Sequence, residues 1–134
     1  MGVVIVGASL AGVRTAQALR RRGFADRITL VDGEAQPACD RPPLSKGYLV
    51  DPASEPRALV TAEQLADLDV TTVLGRYATD LDPTSRTVGL AGGERLPYTA
   101  LVIATGSAPR ALPGLESAPG VHVLRTAEHA SEIR

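Results

Sequence analysis

The sequence predicts an α/β fold, a parallel βαβ sheet carrying an inserted antiparallel β-meander, and three observations predict it. Val3–Val6 and Ile28–Val31 are short, β-branched, apolar runs, which is how parallel strands covered on both faces read. Between them Leu10, Val13, Ala16 and Leu19 recur at helical spacing among Arg14, Gln17 and Arg20, the pattern of a helix with one buried stripe. Further on, Arg76–Leu81 and Arg86–Leu90 flank Asp82-Pro83-Thr84-Ser85, the arrangement of an antiparallel hairpin.

Taken in order, the first strand ends at Gly7 and the helix ends at Gly23, a C-cap. The second strand is stopped by Asp32-Gly33, so the first 32 residues form one right-handed βαβ unit. Residues 36–56 carry Pro37, Pro42, Pro43, Pro52 and Pro56 without apolar periodicity, which predicts an ordered excursion and neither a strand nor a long helix. A loop of that length usually has a function. Thr61 is placed to cap a short helix reaching Asp67, with Glu63 in its first turn, and Val70–Leu74 returns to the sheet. After the hairpin, Ala91–Glu94 turns into a third short strand near Leu96. Leu101–Ala104 reads as another buried strand, broken by Thr105-Gly106. Pro109, Pro113 and Pro119 then keep the chain extended to a strand at Val121–Leu124, and Thr126–Arg134 begins a helix.

Bulk properties restrict the function classes. The chain has 134 residues, 44% apolar and 22% charged, an ordinary globular profile of one domain's size. A net charge of -1 with both signs scattered provides no one-sided field, so no nucleic-acid or membrane partner is expected. The only basic run, Arg20-Arg21-Arg22, falls at a helix end, where cations complement the dipole and cap free carbonyls from a solvated position. One cysteine, Cys39, allows no intrachain disulfide, and with His122 and His129 far along the chain it assembles no metal site. A reducing, cytoplasmic setting fits. Val3–Val6 is too short and lacks a basic flank, so neither export nor a membrane span is expected.

The chemistry sits in the loops. Gly7-Ala8-Ser9-Leu10-Ala11-Gly12 joins a strand to a helix, as the glycine-rich dinucleotide fingerprint of a Rossmann-like fold requires. Backbone N–H groups at such a helix start can hold a pyrophosphate. Ser9 occupies the place of the usual second glycine and adds a hydroxyl able to bond phosphate. Asp32 lies 32 − 12 = 20 residues beyond Gly12, at the end of the second strand, with Gly33 and Glu34 beside it. A carboxylate there accepts bonds from ribose hydroxyls. These contacts alone suit NAD, FAD or an S-adenosyl cofactor equally.

Asp40-Arg41-Pro42-Pro43-Leu44-Ser45-Lys46, followed by Gly47-Tyr48-Leu49, is very similar to the signature loop of the FAD-dependent NAD(P)H:ferredoxin and rubredoxin reductases. These serve haem monooxygenases and ring-hydroxylating dioxygenases, within the pyridine nucleotide-disulfide oxidoreductase superfamily. The resemblance implies that Pro43 packs near the isoalloxazine and that Lys46 points at its N5 region. An ammonium there would stabilise the anionic reduced ring, and Arg41 could serve the adenosine or phosphate side. Ala104-Thr105-Gly106 resembles the family's second flavin-domain signature, Leu124-Arg125-Thr126 matches the segment whose arginine serves FAD, and Ala78 falls where the family's backbone contacts adenine.

The resemblance covers essentially the whole chain and implies a partial FAD/NAD(P)-binding domain, residues 1–134 being its N-terminal part. Electrons would pass from NAD(P)H through bound FAD to a ferredoxin-type iron-sulfur protein. Relatives continue into a nicotinamide domain and a third domain, so a fragment, or a subunit completed by a second chain, is expected. No side chain is named as catalytic, because hydride transfer requires no acid or base. Two other readings stay open. NADH peroxidase and coenzyme A disulfide reductase relatives use a single cysteine in about this region, but Cys39 is followed by Asp40-Arg41, which favours an unreactive loop thiol. The other is a non-catalytic nucleotide-binding module. His122, alternating with Val121 and Val123, and His129, in the last helix, are expected to be structural or exposed.

Overall fold

The computed structural model describes residues 1–36, 38–51, 53–110, 112–115 and 118–134. The excursion prolines Pro37 and Pro52 lie outside the described residues. The chain divides into two compact units, Met1–Ala38 with Leu59–Gly106, and Cys39–Ala58 with Ser107–Arg134.

In the first unit β1 (Val3–Val6), α1 (Leu10–Arg21) and β2 (Ile28–Val31) form the expected βαβ unit. β3 (Val70–Val73) and β7 (Ala100–Ile103) complete a four-stranded parallel sheet in the order β3-β2-β1-β7, with Val3 opposite Ile28 and Ala100. A separate antiparallel sheet, β4 (Ala78–Asp82), β5 (Thr87–Leu90) and β6 (Arg95–Pro97), is the meander, with an irregularity between Ala78 and Asp80.

Successive side chains of a strand face opposite ways, and this explains why β1 is apolar throughout. Val3 and Ile5 pack with Val13 and Ala16 of α1 and with Leu65 of α3 (Ala62–Asp67), whereas Val4 packs with Val88, Leu90 and Tyr98 of the meander region. Both faces of the central strands are therefore covered, and Ile5, Ile28, Leu30 and Val31 have no measurable exposure. Each such side chain contributes about 1.5–3 kcal/mol by leaving water. Helix α3 begins as expected at Thr61, whose hydroxyl accepts the Gln64 N–H while the Gln64 side chain accepts the Thr61 N–H. This reciprocal cap satisfies two N–H groups that the helix cannot.

In the second unit the proline-rich excursion is ordered by a 3₁₀ turn at Pro42–Ser45 and a single helical turn, α2 (Gly47–Val50). Leu44 and Tyr48 are buried with Ala130 of α4 (Ala127–Ile133), and Cys39, Leu124 and Ala127 pack against them. The Tyr48 hydroxyl lies 2.8 Å from the Ser131 hydroxyl, and the Arg134 guanidinium sits 4.6 Å from the Tyr48 ring centre.

Three expectations are corrected. Leu101–Ala104 is not a buried strand: among the described residues β7 pairs with β1 alone, Leu101 and Val102 are half-buried, and Ile103 is 67% exposed. An apolar run reports strand propensity, but burial needs cover on both faces. Val121–Leu124 forms no strand, because no described segment pairs with it, and His122 is exposed outside regular structure. Arg20 is not solvated. Its side chain is 13% exposed, and it donates to the carbonyls of Phe24, Asp26, Leu68 and Asp69 at 2.6–2.8 Å. Arg21 and Arg22 are exposed, as expected.

Candidate functional site

The first unit gathers its candidate residues at the ends of β1, β2 and β7. Gly7 turns the chain with φ +108, and a Cβ on it would overlap the carbonyl of Ala104. Only glycine permits that approach, which brings Ala104-Thr105 against the loop that opens α1. A Cβ on Gly12 would overlap the Gly7 carbonyl oxygen and lie 3.3 Å from the Ile5 side chain. Glycine at this point lets the first turn of α1 rest on β1, as the fingerprint predicts.

Ser9 is the N-cap of α1, in extended conformation, and its side chain makes no capping bond. The Val13 N–H bonds the Ser9 carbonyl, so the N–H groups of Leu10, Ala11 and Gly12 precede the helix's own ladder. Those N–H groups, the Ser9 hydroxyl and the positive end of a twelve-residue helix form a donor set suited to a diphosphate.

The Asp32 carboxylate is held in place by two backbone N–H groups, from Ala8 to one oxygen and from Glu34 at 2.8 Å to the other. An ionised carboxylate has about four acceptor positions, so acceptor capacity remains for the hydroxyls of a ribose. A cavity of about 130 Å³ beside it is lined by Gly7, Asp32, Gly33, Ala78 and Thr105, all singled out in the sequence. Arg76 and Tyr77 also line it. Neither stands in a recognisable motif; the one sequence signal at Tyr77 is that aromatic residues are only 3% of the chain. Glu34 takes its place next to Asp32 through its backbone, its carbonyl accepting the Gly75 N–H at 3.1 Å. Gly106, with φ +71, closes the turn after Thr105.

The second unit has a cavity of about 330 Å³ lined by Arg41, Leu44, Ser45, Ala108, Leu124 and Arg125, among others. It brings together the two candidate arginines, 84 positions apart in sequence (125 − 41). Pro43 and Lys46 are not on its lining. Pro43 sits in the 3₁₀ turn and its carbonyl accepts the Lys46 N–H at 3.0 Å, while Lys46 is exposed. Cys39 is half-buried, makes an isolated bridge with Ala58, and packs on the apolar cluster around Leu44 and Tyr48. Among the described residues no group of three or more His, Cys, Asp or Glu side chains is placed to hold a metal, and no helix is long and apolar enough to cross a membrane.

Fold and loop together define a protein of the dinucleotide-binding α/β class. More particularly, the family model described as pyridine nucleotide-disulphide oxidoreductase matches residues 1–134, and the chain belongs to that family. Among curated proteins it is 39% identical to rhodocoxin reductase of Rhodococcus erythropolis, covering 99% of this chain and 32% of that protein. It is 40% identical to the benzene 1,2-dioxygenase system ferredoxin–NAD(+) reductase subunit of Pseudomonas putida, covering 92% and 30%. Among solved structures, the covalent putidaredoxin reductase–putidaredoxin complex matches with a TM-score of 0.89 and 38% identity, over 97% of this chain and 32% of that one. A ferredoxin reductase from Rhodopseudomonas palustris matches with a TM-score of 0.91 and 31% identity, over 98% and 33%. The chain thus spans about a third of the length of the curated relatives it matches.

Proposed function

We propose that residues 1–134 are the N-terminal, FAD-holding segment of an oxidoreductase that passes electrons from NAD(P)H to a ferredoxin-type iron-sulfur protein. The observation that carries this reading is the Gly7–Gly12 loop, tied to Asp32 through the Ala8 N–H and packed on Ala104-Thr105 through Gly7. Its donors suit the diphosphate of FAD, and Asp32 suits the adenosine ribose. The names of the relatives, ferredoxin reductases of oxygenase systems, supply the acceptor class.

In this reading Leu10, Ala11 and Gly12 orient the diphosphate through their N–H groups, assisted by Ser9, while Asp32, Gly33, Glu34 and Ala78 hold the adenosine end. Ala104, Thr105 and Gly106 leave room for the cofactor beside the loop. Arg41 and Arg125 supply positive charge, and Pro43 and Lys46 serve the flavin ring. Bound FAD supplies the hydride-accepting and electron-donating chemistry, so the protein contributes position, electrostatics and exclusion of water. The remaining parts that bind NAD(P)H and meet the ferredoxin would lie in further residues or in a second chain, and a reducing cytoplasm suits the single cysteine. Cys39 is half-buried against apolar side chains and is followed by Asp40, which disfavours the single-cysteine reductase alternative.

The test is an absorbance spectrum of the chain with added FAD, followed by NADH under argon. Resolved flavin bands that NADH leaves unbleached are the expected result. Absence of any flavin binding at saturating FAD would overturn the reading.

A further inference from the structure

The chain has three tyrosines, one phenylalanine and no tryptophan. Tyr48 and Tyr98 are buried, with 6% and 8% exposure, and each belongs to an apolar cluster. Tyr77 is 68% exposed, yet it is not loose. The Arg76 N–H donates to the Asp32 carbonyl at 3.0 Å, and the Ala91 N–H donates to the Tyr77 carbonyl at 2.8 Å, so the backbone is tied on both sides. Its ring lies on Gly33, where a Cβ would overlap ring carbons Cδ1, Cε1 and Cζ. A residue whose ring has almost no core to pack on, held over a glycine beside a candidate ribose carboxylate, calls for a reason.

From this geometry we infer that Tyr77 is the stacking platform for the adenine base at this site, a residue that fixes the adenosine end of the cofactor. The inference rests on the dinucleotide reading given above. With the diphosphate at Ser9–Gly12 and the ribose at Asp32, the base continues past Asp32 along Gly33, into the cavity that Tyr77, Ala78 and Gly33 line. A purine presents a flat, polarisable face, and a tyrosine ring gives it contact area with few rotors to immobilise. Gly33 is then required at its position because a side chain there would displace the platform.

The test is calorimetric titration of the chain and its Tyr77 variants with AMP and with FAD, together with nuclear magnetic resonance of the Tyr77 ring protons. Tyr77→Phe should keep both affinities within about twofold, whereas Tyr77→Ala and Tyr77→Leu should weaken AMP and FAD alike by about 5- to 100-fold. Tyr77→Leu keeps cover over Gly33, so a loss of binding in that variant with unchanged circular dichroism reports the missing ring face and not a failure to fold. AMP should also move the Tyr77 ring protons upfield. Wild-type affinities in both the Ala and Leu variants, or ring protons that AMP leaves in place, would overturn the assignment while leaving the dinucleotide reading intact. A wild-type chain that binds neither AMP nor FAD would overturn both.

Discussion

The Asp32 carboxylate at the end of β2 accepts the backbone N–H of Ala8 in the loop that follows β1. One side chain thereby fixes the separation of two adjacent strand ends, and its second oxygen anchors the following turn through Glu34. Asp32→Ala should lose about 2–4 kcal/mol of stability, since two charge-assisted bonds disappear and their donors are left unpaired. Asp32→Asn, which keeps one acceptor oxygen, should lose less. Urea unfolding with and without ADP measures both effects, and an Asp32→Ala variant as stable as the parent would contradict this role.

Gly12 tolerates no side chain, because a Cβ would overlap the Gly7 carbonyl oxygen, which is backbone and cannot rotate away. Gly12→Ala should destabilise by about 1–3 kcal/mol and should disrupt FAD binding beyond that loss, since the donors of the first helical turn move with it. Chemical denaturation and flavin titration of the same variant separate the two.

Arg20 joins the end of α1 to the Leu68-Asp69 turn, where Asp69 has φ +50. Its pairing with the Asp69 carboxylate, at 3.5 Å to a 94% exposed partner, adds little. The four carbonyl bonds dominate. Arg20→Ala should cost about 2–3 kcal/mol, and Arg20→Lys should recover only part, because an ammonium cannot reproduce the planar fork. A shift of the urea midpoint without a change of slope is the expected signature.

Asp82 in the hairpin turn accepts the Ser85 hydroxyl at 2.7 Å and the Ser85 and Thr84 N–H groups at 3.0 and 2.9 Å. The Ser85 bonds, its hydroxyl first, hold the carboxyl below its ordinary value of 3.8. A depressed carboxylate stabilises the folded chain above the unfolded value, and that contribution disappears as pH falls through the folded one. The Asp82 carboxyl carbon should therefore titrate below 3.8, and Ser85→Ala should move its midpoint back up. A midpoint unchanged by Ser85→Ala would refute the assigned cause.

Cys39→Ala should leave flavin affinity within about twofold of the parent, and the thiol should alkylate more slowly than a free cysteine at neutral pH. Fast alkylation accompanied by loss of flavin would revive the single-cysteine alternative.

Much of the first unit was legible because its signals are local. The apolar runs of β1 and β2, the helical period of α1 and the Thr61 cap each depend on near neighbours in sequence. The glycines of the loop were legible because steric demands at that turn admit few residues. What escaped depends on distant chain. Arg20 finds two of its carbonyls 48 and 49 residues away, Tyr77 finds Gly33 across the sheet ends, and no pattern within Val121–Leu124 could announce that no described segment pairs with it. The exposure of β7 escaped for the same reason, since composition does not say which strand has a single partner among the described residues.

The most direct measurement is a set of dissociation constants for FAD, FMN and ADP with the purified chain. FAD bound with ADP as a competitor, and FMN bound far more weakly, is the result predicted for a site whose loop, Asp32 and Tyr77 grip the ADP half of the cofactor. FMN bound as tightly as FAD, with ADP unable to compete, would contradict it.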